Sequence, residues 1–215
     1  MIALDTETTG LDFPHGCRPF FVSITDQDLE SMYWEWRVDP YTRNPTIPKK
    51  DIKEVKEVIQ DHGHVIMHNA KFDARALESI GISLPDLIGW ENIEDTILYS
   101  HLSDSQGPHG LKPLAERLIG FDTDDEQAVK VAVEDCRRQM RPHVWAIAAK
   151  GHHHFPSLEQ GKWWKMDMWL PREVAIFREY AFDHPYYTVL STYGVADPYR
   201  TMLLYQHFQK ELISG

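Results

Sequence analysis

Apolar positions along the chain follow one period at its start and another after its first third. The opening Ile2-Ala3-Leu4 is a short apolar run ending in acids, the pattern of a buried central strand whose tip emerges into solvent. Residues 19–25 and 31–38 are β-branched or aromatic runs separated by the turn signal Asp26-Gln27-Asp28, which predicts three antiparallel strands. Over 51–62, Ile52, Val55, Val58 and Ile59 recur at helical spacing behind Pro48 and ahead of Gly63, so a helix with a start and a stop is expected. Residues 64–68, around Val65-Ile66-Met67, predict a fourth strand. From Lys71 the period is mainly helical, over 72–80, 93–102, 111–119 and 126–150, with breaks at Gly81, Pro85, Gly107-Pro108 and Gly120. A last helical pattern covers 171–212, with interruptions expected near Pro185 and Pro198. Strands first and helices afterwards, joined by a strand-helix-strand crossover, predict an α/β fold: a mixed β-sheet with helices packed on it.

Composition narrows the class. With 215 residues, 42% of them hydrophobic and 12% aromatic, disorder, collagen and disulfide scaffolds are excluded, and a single domain over 1–215 is expected. The longest apolar runs fall far short of the roughly 18–20 residues of a membrane span, and Met1 leads into Ile-Ala-Leu and then charge without a secretory pattern. A cytoplasmic protein without a membrane partner is the expectation. Cys17 and Cys136 are too few for a disulfide framework or a four-ligand zinc site and read as small buried thiols. The net charge of −11 argues against holding nucleic acid by bulk electrostatics, which needs a basic field. The balance is uneven, however. Between Arg137 and Arg172 lie seven Lys/Arg and two acids, with Trp145, Trp163, Trp164, Trp169 and the run His152-His153-His154.

Three short patterns carry chemistry. In Asp5-Thr6-Glu7-Thr8-Thr9-Gly10 the two acids are two apart in a strand and project side by side. Paired carboxylates repel unless a cation neutralises them, and oxygen-rich sites suit Mg²⁺ or Mn²⁺; alternatively they are incidental acids at a solvated strand end. His68-Asn69-Ala70-Lys71-Phe72-Asp73 delivers another acid at the exit of the fourth strand, where Asp73 is either a third member or a stabiliser of a helix N-terminus. Asp95, opening the next helix, reads as a cap. In Tyr193-Gly194-Val195-Ala196-Asp197 the spacing of four places a phenol and a carboxylate on one helix face, where the Tyr could orient a water or simply pack.

In this order, strand D-x-E, N-x-x-x-F-D and Y-x-x-x-D, the patterns resemble the DEDD exonucleases of the ribonuclease H-like superfamily. The tyrosine form of the third motif is similar to the 3′-to-5′ proofreading domain of polymerase I type (family A) DNA polymerases, phage-like in extent. Asp95-Thr96-Ile97-Leu98 and His109-Gly110-Leu111-Lys112-Pro113-Leu114-Ala115-Glu116-Arg117-Leu118 also look like that family's helices. The histidine branch would need His five residues before the last Asp, where this chain has Thr192. The resemblance implies a ribonuclease H-like sheet of three antiparallel strands plus parallel ones, flanked by helices. It implies two divalent ions, Mg²⁺ or Mn²⁺: Asp5, Glu7 and Asp197 would ligate one, and Asp5 would bridge to a second supported by Asp73. Tyr193 would position the attacking water. Thr8 and Thr9 match contacts to the last nucleotide, Leu11 the wedge against terminal bases, and Asn69 the lining of the cleft.

The activity so implied is removal of nucleoside 5′-monophosphates from single-stranded or frayed DNA 3′ ends, beside a polymerase domain or subunit in a bacterial or phage-infected cell. A ribonuclease D-like action on RNA and a non-catalytic, polymerase-associated binding module are the alternatives. Two departures stand out. Pro198 cannot donate a helical hydrogen bond to Gly194, so a kink or restart is expected there. Residues 122–180 are long for this domain and read as containing an insertion, the basic Trp-rich segment, which either guides a strand by cations and stacking or forms a small auxiliary core.

Overall fold

The computed structural model describes residues 1–40, 42–122, 124–149 and 169–213. Its centre is a five-stranded mixed sheet in the order β3-β2-β1-β4-β5. β1 (Ile2–Thr8) pairs antiparallel with β2 (Pro19–Asp26), which pairs antiparallel with β3 (Ser31–Glu35). On the other side β1 pairs parallel with the short β4 (Val65–Met67), and β4 parallel with β5 (Ile93–Asp95). This is the expected ribonuclease H-like α/β arrangement, with one more strand than the hydrophobic pattern indicated. Residues 93–95 form β5 rather than the start of a helix. A strand of three residues at the sheet edge is too short to show alternation, and it runs directly into the helix that Asp95 caps.

Eight α-helices flank the sheet among the described residues: α1 (Lys49–His62), α2 (Ala70–Glu78), α3 (Leu84–Ile88), α4 (Thr96–Ser103), α5 (Leu111–Ile119), α6 (Asp124–Ala149), α7 (Pro171–Phe177) and α8 (Val189–Ile213). The period-two alternation of β1 sorts its side chains between two cores. Ile2 and Leu4 pack with Val55 and Ile59 of α1 and Leu77 of α2. Ala3 faces the other way, onto Met202 and Tyr205 of α8. Asp5 and Glu7 share the parity of Ala3, so the same alternation aims them at α8. No helix among the described residues is long and apolar enough to cross a membrane.

α8 runs unbroken through Pro198, contrary to the expected kink. The carbonyl that Pro198 leaves without its helical donor is that of Gly194, and the buried Ser23 Oγ of β2 donates to it at 2.6 Å. The sheet thus supplies the hydrogen bond the helix lacks. Gly194 also permits the contact: a Cβ there would lie 2.4 Å from the Phe21 ring. The interruption near Pro185 is present, as a 3₁₀ turn (Pro185–Tyr187) ahead of α8.

Candidate active site

β1 ends in a register shift between Glu7 and Thr8, and bulges of this kind re-aim side chains at strand ends. There Asp5 and Glu7, half-buried, meet the buried Asp197 of α8, and one oxygen of each lies within 4.8 Å of the others. Pairing of Asp5 with Ser23 and of Glu7 with Phe21 puts the two acids beside the very residues on which α8 rests. Burial, with like charge around it, pushes the Glu7 carboxyl up to about 8 and the Asp5 carboxyl well above its ordinary range.

Asp73 reaches the same edge by a different route. β4 pairs with β1 only at Ile2 and Ala3, so further along β1 the main chain has no strand partner on that side. Asp73 of α2 takes that place, its Oδ1 accepting from the Thr6 N–H at 3.0 Å and from Thr6 Oγ1 at 2.7 Å. Burial pushes its carboxyl up to about 7 despite those two donors, and its charge raises Asp5 in turn. Asp73 stands outside the three-oxygen group but is electrostatically tied to it. The turn that carries it is pinned by Asp95, which caps α4 at Ile97 N and also accepts from the main-chain N–H of Asn69 and Ala70. Asn69 itself is exposed, in the left-handed region at φ 75. His68 bridges Thr96 and the His109 carbonyl, and burial holds its ring neutral, at about 4.

Tyr193 and Asp197 share one face of α8, as the spacing predicts, and both meet a residue the motifs did not assign. Lys112 Nζ, near the start of α5, donates to Tyr193 Oη at 2.9 Å and to Asp197 Oδ2 at 3.2 Å. Desolvation and the surrounding acids push the Tyr193 phenol far above its usual range, so it keeps its proton. Arg200 is a second unassigned cation. Wholly buried, it donates to Asp197 Oδ1 at 2.8 Å, to Asp125 and to the Asp122 carbonyl, tying α8 to the start of α6. A lysine in the first turn of a helix opposes the macrodipole, and that was the available signal for Lys112.

The remaining expected contacts are distributed around the mouth. Thr8 Oγ1 donates to the Gly10 carbonyl, Thr9 Oγ1 accepts from Arg18 N, and Leu11 is 83% exposed. Cys17 and Cys136 are buried free thiols, the former donating to the Gly10 carbonyl. Trp169 is buried with Ala132, Cys136, Met140, Val174 and Tyr186, which is the auxiliary-core alternative for that residue. Trp163, Trp164 and His152 to His154 lie outside the described residues, as does the side chain of Trp145.

The donor set is a test of metal chemistry. Three carboxylates offer oxygens close enough for one cation to reach all of them, and burial together with the neighbouring negative charge raises the proton affinities of Asp5 and Glu7. Those residues fit a hard divalent cation of the Mg²⁺ or Mn²⁺ type. Comparison with known proteins agrees. A family model described as 3′-5′ exonuclease matches residues 1–145, which include the first two motifs and Lys112. No curated protein matches the chain. Among solved structures, one described as the apo form of the nuclease and one of Brucella melitensis NrnC bound to pGG each superpose with a TM-score of 0.51 and 16% identity, over 99% of this chain and 73% of theirs.

Proposed function

That the chain belongs to the 3′-5′ exonuclease family is the premise from which we propose that it removes nucleoside 5′-monophosphates from the 3′ end of single-stranded or frayed DNA with two divalent ions. The observation that carries the reading is the meeting of Asp5, Glu7 and Asp197 oxygens within 4.8 Å, with Tyr193 and Asp73 at its margin. Asp5, Glu7 and Asp197 would hold one ion, and Asp5 with Asp73 the second. Such ions lower the pKa of the nucleophilic water and stabilise the leaving 3′ oxygen of an in-line displacement. The protein's part is to give up the protons of Glu7 and Asp73, held up to about 8 and about 7, as cations enter. Tyr193 accepts from Lys112 and therefore keeps its own O–H to donate, which suits it to hold the attacking water. Thr8, Thr9, Leu11 and Asn69 flank the 3′ nucleotide in this reading, the exposed Leu11 offering apolar surface to the terminal base.

Service to a polymerase domain or subunit as a proofreading activity belongs to the same proposal and rests on the motif resemblance. A second reading, short oligoribonucleotides as substrate, is favoured by one observation: a nuclease of this fold has been captured with pGG. One gel separates them. A 5′-labelled single-stranded DNA and the RNA of the same sequence are digested with Mg²⁺ or Mn²⁺, against EDTA and Asp5→Asn controls, with pGG in a parallel chromatographic assay. A ladder shortening from the 3′ end, lost with EDTA and with Asp5→Asn, is expected, with DNA cleaved at least as fast as RNA. Faster loss of RNA or of pGG moves the second reading to the front, and absence of cleavage in every arm by folded, metal-supplied protein overturns both.

A further inference from the structure

Beside the carboxylates lies a cavity of about 180 Å³ whose walls include Glu7, Thr8, Tyr193, Glu126, Lys130 and Arg43. Pockets enclosing a whole drug-sized ligand hold roughly 300–1,000 Å³, so this one takes a single unit of a strand. Arg43 is the unusual member. Its Nη2 donates to the Thr9 carbonyl at 3.2 Å, while Nε and Nη1 are buried without a hydrogen-bond partner. A guanidinium left in that condition costs free energy that an anion would recover. Lys130 differs, because it is already paired with Glu126 on α6.

The backbone that presents Arg43 is itself strained. Val38 bridges Pro45 antiparallel, and within the loop they close Arg43 N donates to the Asp39 carbonyl while Asp39 Oδ1 accepts from Thr42 N. Arg43 occupies the left-handed region at φ 62, where a glycine would rest without strain. An arginine kept there, tied to the main chain two residues beyond Glu7, costs the fold stability and leaves a cation at the edge of the carboxylate site. Burial, opposed by Cys17 and aided by the neighbouring charge of Arg137, lowers its guanidinium to about 10.

The chemistry of the strand limits the anion. A nucleic acid 3′ end seated with its last phosphodiester at the carboxylates has further phosphates on one side only, toward its 5′ end. We infer that Arg43 is a specificity-determining anchor that binds the phosphate one nucleotide 5′ of the scissile linkage, in the cavity bounded by Glu7, Tyr193 and Lys130. This deepens the exonuclease reading and rests on it for the identity of the strand. The same seat takes an internal phosphodiester of a longer strand or the terminal 5′-phosphate of a dinucleotide.

Binding rather than turnover is the test. Fluorescence anisotropy in Ca²⁺, used in place of Mg²⁺ to suppress hydrolysis, gives Kd for a trinucleotide and for its analogue with an uncharged methylphosphonate at the linkage 5′ of the scissile one. Dinucleotides with a 5′-phosphate or a 5′-hydroxyl form the second pair. Arg43→Gln is expected to weaken the native trinucleotide about 10-fold and to leave the methylphosphonate analogue as in the wild type, since a hydrogen bond to a charged partner is lost only where the charge exists. Arg43→Lys should recover part of the difference and serves as the second variant if the glutamine form does not fold. A 5′-phosphate advantage that is present in the wild type and absent in Arg43→Gln assigns the seat to the terminal group as well. Its absence, with the trinucleotide contrast intact, assigns it to internal linkages alone. Equal weakening of charged and uncharged trinucleotides, no weakening, or no oligonucleotide binding by the wild type overturns the inference. Failure of the exonuclease reading shows elsewhere: the charge-dependent contrast would persist while Mg²⁺ or Mn²⁺ gave no cleavage.

Discussion

Lys112 touches both halves of the third motif, and that double contact decides what each side chain can do. It donates to Asp197 and to the Tyr193 oxygen, so it neutralises part of the acid cluster and fixes the phenol's remaining proton as a donor. Tyr193→Phe removes that donor without removing a ligand. It is expected to lower kcat by about 10- to 100-fold with little change in KM, while titration with Mn²⁺ gives the wild-type affinity. A fall in Mn²⁺ affinity matching the fall in rate would instead make the phenol a ligand or a packing residue. Arg200 acts behind the site. It is wholly buried, and Arg200→Met leaves Asp197 and Asp125 without their shared counter-charge, a change that costs about 3–5 kcal/mol for buried pairs of this kind. Urea unfolding measures it directly, and a loss under 1 kcal/mol would refute the assignment. Asp5 with Glu7, and Tyr193 with Asp197, were legible as pairs because strand alternation and helix spacing say which side chains share a face, whereas the joining of Asp73 and Asp197 to the first pair rested on the motif resemblance. Lys112 and Arg200 were not assigned: Lys112 gave only the weak signal of a cation in the first turn of a helix, and Arg200 looks like an ordinary surface charge until α6 and α8 are folded together.

At the level of elements, the site depends on how closely α8 lies on β2. Three residues bring this about: Pro198, which frees the Gly194 carbonyl; Ser23, which donates to it; and Gly194, which has no Cβ to strike Phe21. Ser23→Ala leaves a buried carbonyl without a partner and should cost roughly 1–3 kcal/mol by urea unfolding. The double variant Ser23→Ala, Pro198→Ala restores the helical donor and should recover most of that loss. Failure of the double variant to recover would show that the Ser23 hydroxyl does something other than replace the proline's missing N–H. The pattern of apolar residues foretold a break at Pro198 because a helix read alone has only its own donors. The compensating hydroxyl comes from 171 residues away in sequence, where no local rule can see it. β5 was obscured for a different reason: three residues on a sheet edge give no period, and the Asp95 cap was read as the sign of the helix that follows.

Across the whole molecule, charge and stability are coupled through the same acids. The chain carries a net charge of −11, and its most crowded acids lie at the sheet end, where Glu7 holds a proton up to about 8 and Asp73 up to about 7. In an unfolded chain such groups titrate near 4, so between about 4 and 8 the folded state binds more protons. A carboxylate with a raised folded value contributes stability that is complete below its unfolded value and is lost as pH rises through the folded one. His68 has the opposite sign: its value, lowered to about 4, contributes stability that is complete above about 6.5 and is lost as pH falls. The two effects separate in the window from about pH 6.5 to 8.5, where the folded ring is neutral and the unfolded ring loses only the remainder of its charge, so the carboxylates dominate the change. The Tm of the metal-free protein in EDTA should therefore fall across that window. Added Mn²⁺ should remove or reverse the fall, because a cation that binds the deprotonated set stabilises the folded chain by mass action. Glu7→Gln, which cannot ionise, should flatten the metal-free slope and weaken the Mn²⁺ effect together. A metal-free Tm that is level or rises from pH 6.5 to 8.5 would mean that the acids are already solvated at neutral pH, and the site would then hold no stored repulsion for a cation to relieve.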